Sequence, residues 1–314
     1  MAKMTSDSIG VDISKDHLDV HRLSSGAAAR FPNSSVGFRA LAAWLSREGV
    51  ERVVYEPTGP YHAAFERAFA GRLPLVKVNP LQARRFAQAR GTRAKTDPVD
   101  ARALAEMGAA LLLQPHEPVS DTLRVLRELQ IARQALVKDR TRLLNRLRSL
   151  ELPLLRRQSQ ARLEQAERQL AEIDREIHAR IREDRVLART LAILCSIPGI
   201  GAVSAAALLI ELPEIGTLTR KQVASLAGLA PMTRQSGNWR GRAFIQGGRK
   251  HLRDALYMPA LVAMRVNPDL KAKYTRLRAA GKPGKLALTV LVRKLIEMAN
   301  TLVVADREWQ PMPA

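Results

Sequence analysis

Cysteine is almost absent: Cys195 is the only one in 314 residues. One thiol builds neither a disulfide framework nor a zinc cluster, so a reducing cytoplasm is the expected compartment. It lies in the apolar run 191–197, where a buried thiol is expected. Long hydrophobic runs are lacking too. The longest, residues 202–210, falls far short of the roughly 20 residues that span a membrane. The polar start, residues 1–8, leads straight into an alternating segment, so neither a signal peptide nor a membrane is expected. Acidic residues are scarce beside basic ones, 30 against 51, for a net charge of +21.

A hydrophobic content of 46% excludes a wholly disordered chain, and the length suits two cores and a connector better than one. The positive charge is unevenly spread. Residues 191–314 hold 18 Lys and Arg against 7 Asp and Glu, a steeper excess than in either segment before them. Such a field draws polyanions, and solubility alone rarely needs so one-sided a final third.

Alternation over residues 8–13, 17–23 and 27–31 predicts three meandering strands, with Ser25 and Gly26 at the second turn. Ser35 is the expected cap of a helix carrying Phe38, Leu41 and Leu45. Strands at 52–55 and 75–78 then alternate with helices at 61–69 and from Pro80. This order is that of an RNase H-like α/β domain, assigned to residues 1–120. In residues 121–190, leucine and isoleucine recur at spacings of three, four and seven. They predict two helices in an antiparallel coiled-coil hairpin, the first stopped by Pro153. The Arg-rich outer faces read equally as solvated surface and as a dimerisation or nucleic-acid surface. Residues 191–314 read as an all-α domain of short helices, interrupted by a polar loop at 230–247.

Three constellations carry chemistry. Asp12 stands in the first strand among branched apolar neighbours, where a carboxylate is costly unless a cation compensates it. Glu56 ends the strand at 52–55. Asp97 and Asp100, three residues apart behind a Thr96 cap, share one face of a helix start. Strand, strand-end and helix-start carboxylates in this order are the hard oxygen ligands with which nucleases hold Mg²⁺. Each alone also reads as a turn or helix-start charge, while Asp16, Asp19, Glu48 and Glu51 read as solvated surface. Residues 197–201, Ile-Pro-Gly-Ile-Gly, form a helix-hairpin-helix turn in which Gly199 and Gly201 let the backbone approach a phosphate, or simply a tight turn. In the loop, Ser236 lies between Gln235 and Gly237 with Arg234, Arg240 and Arg242 nearby, and Arg249 and Lys250 follow. These cations are the expected nucleic-acid contacts. Read from the loop alone, Ser236 is first an ordinary hydroxyl and second a nucleophile at a phosphodiester.

Together, residues 10–15, 55–59, 95–101, 197–201 and 234–237 resemble, in order and spacing, the transposases of insertion-sequence family 110, branch 1111. The resemblance covers nearly the whole chain. It implies an N-terminal domain similar to the Holliday-junction resolvase RuvC, holding an acidic tetrad at Asp12, Glu56, Asp97 and Asp100 that binds Mg²⁺. It implies that Ser236 attacks DNA to give a phosphoserine ester and a free 3′ hydroxyl. It also implies a homo-oligomer, dimer or tetramer, in which the tetrad of one protomer serves the serine of another. A structured bridge RNA would select donor and target DNA, in a bacterial cytoplasm at the nucleoid. The rival reading is a structure-selective nuclease that uses the same tetrad with water as nucleophile. A non-catalytic nucleic-acid-binding protein is opposed by the intact tetrad.

Overall fold

The computed structural model describes residues 7–46, 49–57, 59–91, 96–116 and 120–311. Thr58 and Lys95, which contribute to the family resemblance, lie outside the described residues, as do Glu48 and residues 1–6. The chain divides into two compact units, 1–119 and 120–314.

The first unit is a mixed α/β fold. Strands β1 (Ser8–Ile13), β2 (His17–Arg22) and β3 (Ala28–Pro32) form an antiparallel meander, followed by helix α1 (Ser35–Leu45). Strand β4 (Arg52–Tyr55), helix α2 (His62–Phe69), strand β5 (Leu75–Lys77) and helices α3 (Pro80–Ala89) and α4 (Asp97–Ala110) complete it. The sheet order is β3-β2-β1-β4-β5, with β4 and β5 parallel to β1. Helix α1 is capped by Ser34, not Ser35: its Oγ accepts from the Gly37 amide.

Strand alternation sorts side chains onto two faces. Ile9, Val11, Ile13, Leu18, Val20, Val53 and Tyr55 join Leu41, Phe65 and Phe69 in one core. Val54 and Val76 pack with Leu104 and Met107 of α4 on the other face. Gly10 is what lets α4 lie directly on β1. A Cβ there would fall on the Ala101 carbonyl and the Ala105 amide. The Ser8 hydroxyl donates to the Ala105 carbonyl at 2.8 Å and ties the helix down from the next turn of contact.

The second unit opens with a helical hairpin, α5 (Asp121–Ser149) and α6 (Pro153–Glu183). Pro153 does not stop the first helix. It begins the second, where its fixed φ and missing N–H cost nothing. Arg133–Asp174 and Arg140–Glu167 ion pairs bridge the two helices. At the hairpin's base, Leu126, Ile177 and Ile181 share a cluster with Ala206 and Ile210. Hairpin and C-terminal helices therefore form one packed body.

Those helices are α7 (Arg185–Ser196), α8 (Ala202–Glu211), α9 (Arg220–Leu226), α10 (Lys250–Val266), α11 (Pro268–Ala279) and α12 (Gly284–Val304). Their core gathers Leu194, Leu208, Leu252, Leu256, Leu291 and Leu295 among others. Cys195 is exposed, contrary to expectation, because helical periodicity buries its neighbours Ile193 and Leu194 and turns residue 195 outward. The unit is not wholly helical: strands β6 (Gln235–Ser236) and β7 (Trp239–Arg240) form a small hairpin. None of the helices, among the described residues, is long and apolar enough to cross a membrane.

Candidate active site

Because α4 crosses β1 at Gly10, its first turn, with Asp97 and Asp100, comes to the sheet face that carries Asp12. Val11 of β1 pairs with Tyr55 of β4, so Glu56 leaves the sheet beside Asp12. Asp12 is half-buried, and its carboxyl is pushed up to about 6. Burial contributes most, followed by the like charges of Asp97, Asp100, Glu56 and Asp19. The four expected carboxylates thus act on one spot. Among the described residues, however, no three Asp, Glu, His or Cys side chains stand close enough to grip one metal ion. The donor set still fits a hard divalent cation: each of the four candidate donors is a carboxylate, and a cation would offset both the burial and the like charges that hold Asp12 toward its neutral form.

Asp19 is not solvated surface. It stands directly across the ladder from Asp12 and is 5% exposed. Arg30, the next residue across on β3, grips it through Nε and Nη2 at 3.0 Å each. Arg30 Nη2 also reaches Asp97 at 3.7 Å. Alternation in β2 did mark Asp19 as facing away from Leu18 and Val20, but only the three-strand register shows that α4 covers that face.

On the opposite face, Tyr55 donates its hydroxyl to Glu66, and Lys77 Nζ lies 2.5 Å from the same carboxylate oxygen. Burial pushes the Glu66 carboxyl up, but Lys77 and Tyr55 outweigh it and hold the group below the ordinary range. This network closes the other side of β4 and leaves the tetrad face to α4.

In the second unit, Ser236 pairs with Trp239 across the β6–β7 hairpin, and Gly237 turns it with a φ of +54°. The hairpin is built outward from a Met232–Phe244 bridge and a Gly241 N–H to Arg234 carbonyl bond of 2.9 Å. The Arg234 guanidinium lies 4.6 Å over the Phe244 ring. Gly241 leaves the space that the Trp239 ring fills. Ser236, Arg240 and Arg242 are exposed on this short, braced projection, and Trp239 is 60% exposed.

The remaining expected contacts differ in their availability. Arg249 spends its guanidinium internally, on Glu214 at 2.6 and 2.7 Å and on the Glu211 carbonyl. Lys250 is exposed and pairs with Asp254. Gly199, with a φ of +109°, is filled against Ala263 of α10, so close packing accounts for that glycine. Gly201 is open and exposed just ahead of the uncapped amides of α8.

Residues 9–182 match a transposase family model, the DEDD transposase of IS110, and residues 191–275 match a second, the transposase IS116/IS110/IS902 family. Pilin gene-inverting proteins of Moraxella bovis and Moraxella lacunata are each 28% identical to the chain over 98% of both partners. An uncharacterized insertion element IS110 protein of Streptomyces coelicolor is 38% identical over 34% of this chain and 27% of its own. With more than half its length inside the first model, the chain belongs to the IS110 family of transposases, recombinases whose substrate is DNA.

Proposed function

We propose that this transposase cleaves, exchanges and rejoins DNA strands with a carboxylate tetrad and a serine nucleophile. The tetrad is Asp12, Glu56, Asp97 and Asp100, and the nucleophile is Ser236. The observation that carries the tetrad is the crossing of α4 over β1 at Gly10, which brings Asp97 and Asp100 to the sheet face of Asp12, while the β1–β4 register sets Glu56 beside it. The sheet order β3-β2-β1-β4-β5, with its meander and parallel additions, supports an RNase H-like, RuvC-like assignment for this unit. A bound Mg²⁺ would supply charge neutralisation and Lewis-acid polarisation at a phosphate oxygen.

The protein's own groups do the rest. Ser236 presents its hydroxyl on a hairpin tip that a DNA strand can approach without a side chain at 237 in the way. Its Oγ forms a bond to phosphorus as the P–O3′ bond breaks, and the proton lost from the hydroxyl is made good on the departing 3′ oxygen. Arg240 and Arg242 balance the charge that builds on the phosphoryl oxygens. One phosphoester replaces another, so the reverse attack rejoins strands without ATP. Gene inversion, for which the Moraxella relatives are named, requires rejoining as well as cutting, which favours this chemistry over hydrolysis. Gly201 and the α8 amides offer a phosphate contact in the same unit.

The resemblance adds a homo-oligomer in which one protomer's tetrad serves another's serine, and a bridge RNA that selects both DNA sites. The test is strand exchange on labelled DNA by the full-length protein and its variants. Asp12→Ala and Ser236→Ala are each expected to abolish exchange while leaving DNA binding. Nicking by Ser236→Ala at the wild-type rate would make water the nucleophile and the protein a structure-selective nuclease.

A further inference from the structure

The tetrad face holds one arrangement that strand exchange by four carboxylates and a serine does not explain. Asp12, Asp19 and Arg30 form a single rung across β1, β2 and β3. Two carboxylates directly opposed on an antiparallel ladder repel each other, and Asp19 is buried as well. Burial of a charge is tolerated only when it is paired. Arg30 meets that need with a two-nitrogen grip on Asp19, while its Nη2 extends 3.7 Å to Asp97. The guanidinium itself remains half exposed on the edge strand.

We propose that Arg30 is the protein's resident counter-ion for the catalytic carboxylates, with Asp19 as its anchor. In the metal-free protein it lends positive charge to the cluster and holds Asp97. When a divalent cation enters, Asp97 is released to it, and Asp19 keeps the guanidinium drawn back from Asp97. Arg30 and Asp19 are positioning residues, and this role rests on the tetrad reading given above.

The test is calorimetric titration of Mn²⁺ into the chelator-stripped, full-length protein at about 0.1 M salt. A competing cation and its anchor act with opposite signs. Arg30→Gln removes a positive charge near the site and tightens Mn²⁺ binding by about tenfold. Asp19→Asn frees Arg30 to compete for Asp97 and weakens binding by about tenfold. The double variant Asp19→Asn/Arg30→Gln leaves the local charge unchanged and stays within about threefold of wild type, as does Arg30→Lys. If Arg30→Gln alone fails to fold, Asp19→Asn against the double variant gives the same contrast. Weakening by both single variants, or no change in either, overturns the proposal while leaving the tetrad in place. Wild-type protein whose Mn²⁺ binding is absent, or is untouched by Asp12→Ala, overturns the tetrad reading and this inference with it.

Discussion

Asp12 sits where its own charge works against folding. Its carboxyl is raised to about 6 from an ordinary value near 3.8, so the folded protein holds that proton more tightly than the unfolded chain does. Above pH 6 the ionised group destabilises the fold, and below pH 4 it is neutral in both states and costs nothing. Asp12→Asn is therefore expected to stabilise the metal-free protein at pH 7–8 by about 1 kcal/mol, discounted for solvent screening at a half-exposed group. The gain fades as pH falls from 6 toward 4. Saturating Mg²⁺ reverses the sign, since asparagine is the poorer ligand. Denaturant midpoints with chelator and with Mg²⁺ measure both arms, and a metal-free loss of stability at pH 8 contradicts the electrostatic account. At this scale the four carboxylates proposed as a tetrad stand out in the sequence because each lies in a local pattern of strand or helix start. Asp19 and Arg30 were not, because their meaning depends on cross-strand register. Arg249 reads as a nucleic-acid contact in the sequence, and only the fold brings Glu214, 35 positions away, onto its guanidinium.

The proposed tetrad depends on one close approach between elements. Gly10 admits α4 to backbone contact with β1, and that contact delivers Asp97 and Asp100 to Asp12. Gly10→Ala is expected to destabilise the protein by about 1–3 kcal/mol as the helix is forced outward. It should also abolish strand exchange without touching any carboxylate. Ser8→Ala, which removes only the bond to the Ala105 carbonyl, costs about 1 kcal/mol and retains activity. Wild-type stability and exchange in Gly10→Ala would show that α4 is not held in this way. Strand and helix positions in the first unit follow the hydrophobic periods of the sequence closely, within a residue or two at the ends. The departures in the second unit have local causes. Pro153 reads as a stop or a start depending on which side the helix lies, and two-residue strands such as β6 and β7 are too short to leave a period.

Across the whole molecule, charge divides unevenly between the units. The first concentrates negative charge at Asp12, and the segment from 191 onward carries the steepest positive excess. DNA affinity of the full chain is expected to fall by about 0.9 log units per log unit of salt for each duplex phosphate neutralised. Arg240→Ala with Arg242→Ala should lower that slope by about 1 for each arginine that contacts phosphate, and an unchanged slope removes them from the interface. Family membership was readable from motif order along the chain, whereas the hairpin that lifts Ser236 and Trp239 into solvent was not.

Serine transfer and hydrolysis differ in the atom that attacks phosphorus. The direct measurement is to quench a reaction on phosphate-labelled DNA, digest the DNA and then the protein with trypsin, and locate the label by mass spectrometry. Trypsin cuts after Arg234 and Arg240, so Ser236 lies in the peptide Gln235-Ser236-Gly237-Asn238-Trp239-Arg240, which contains no other hydroxyl side chain. A nucleotide-sized mass is expected on this peptide in wild type, with none in Ser236→Ala or Asp12→Ala. Label on another peptide, or wild-type strand exchange with no labelled peptide at all, would rule out Ser236 as the nucleophile.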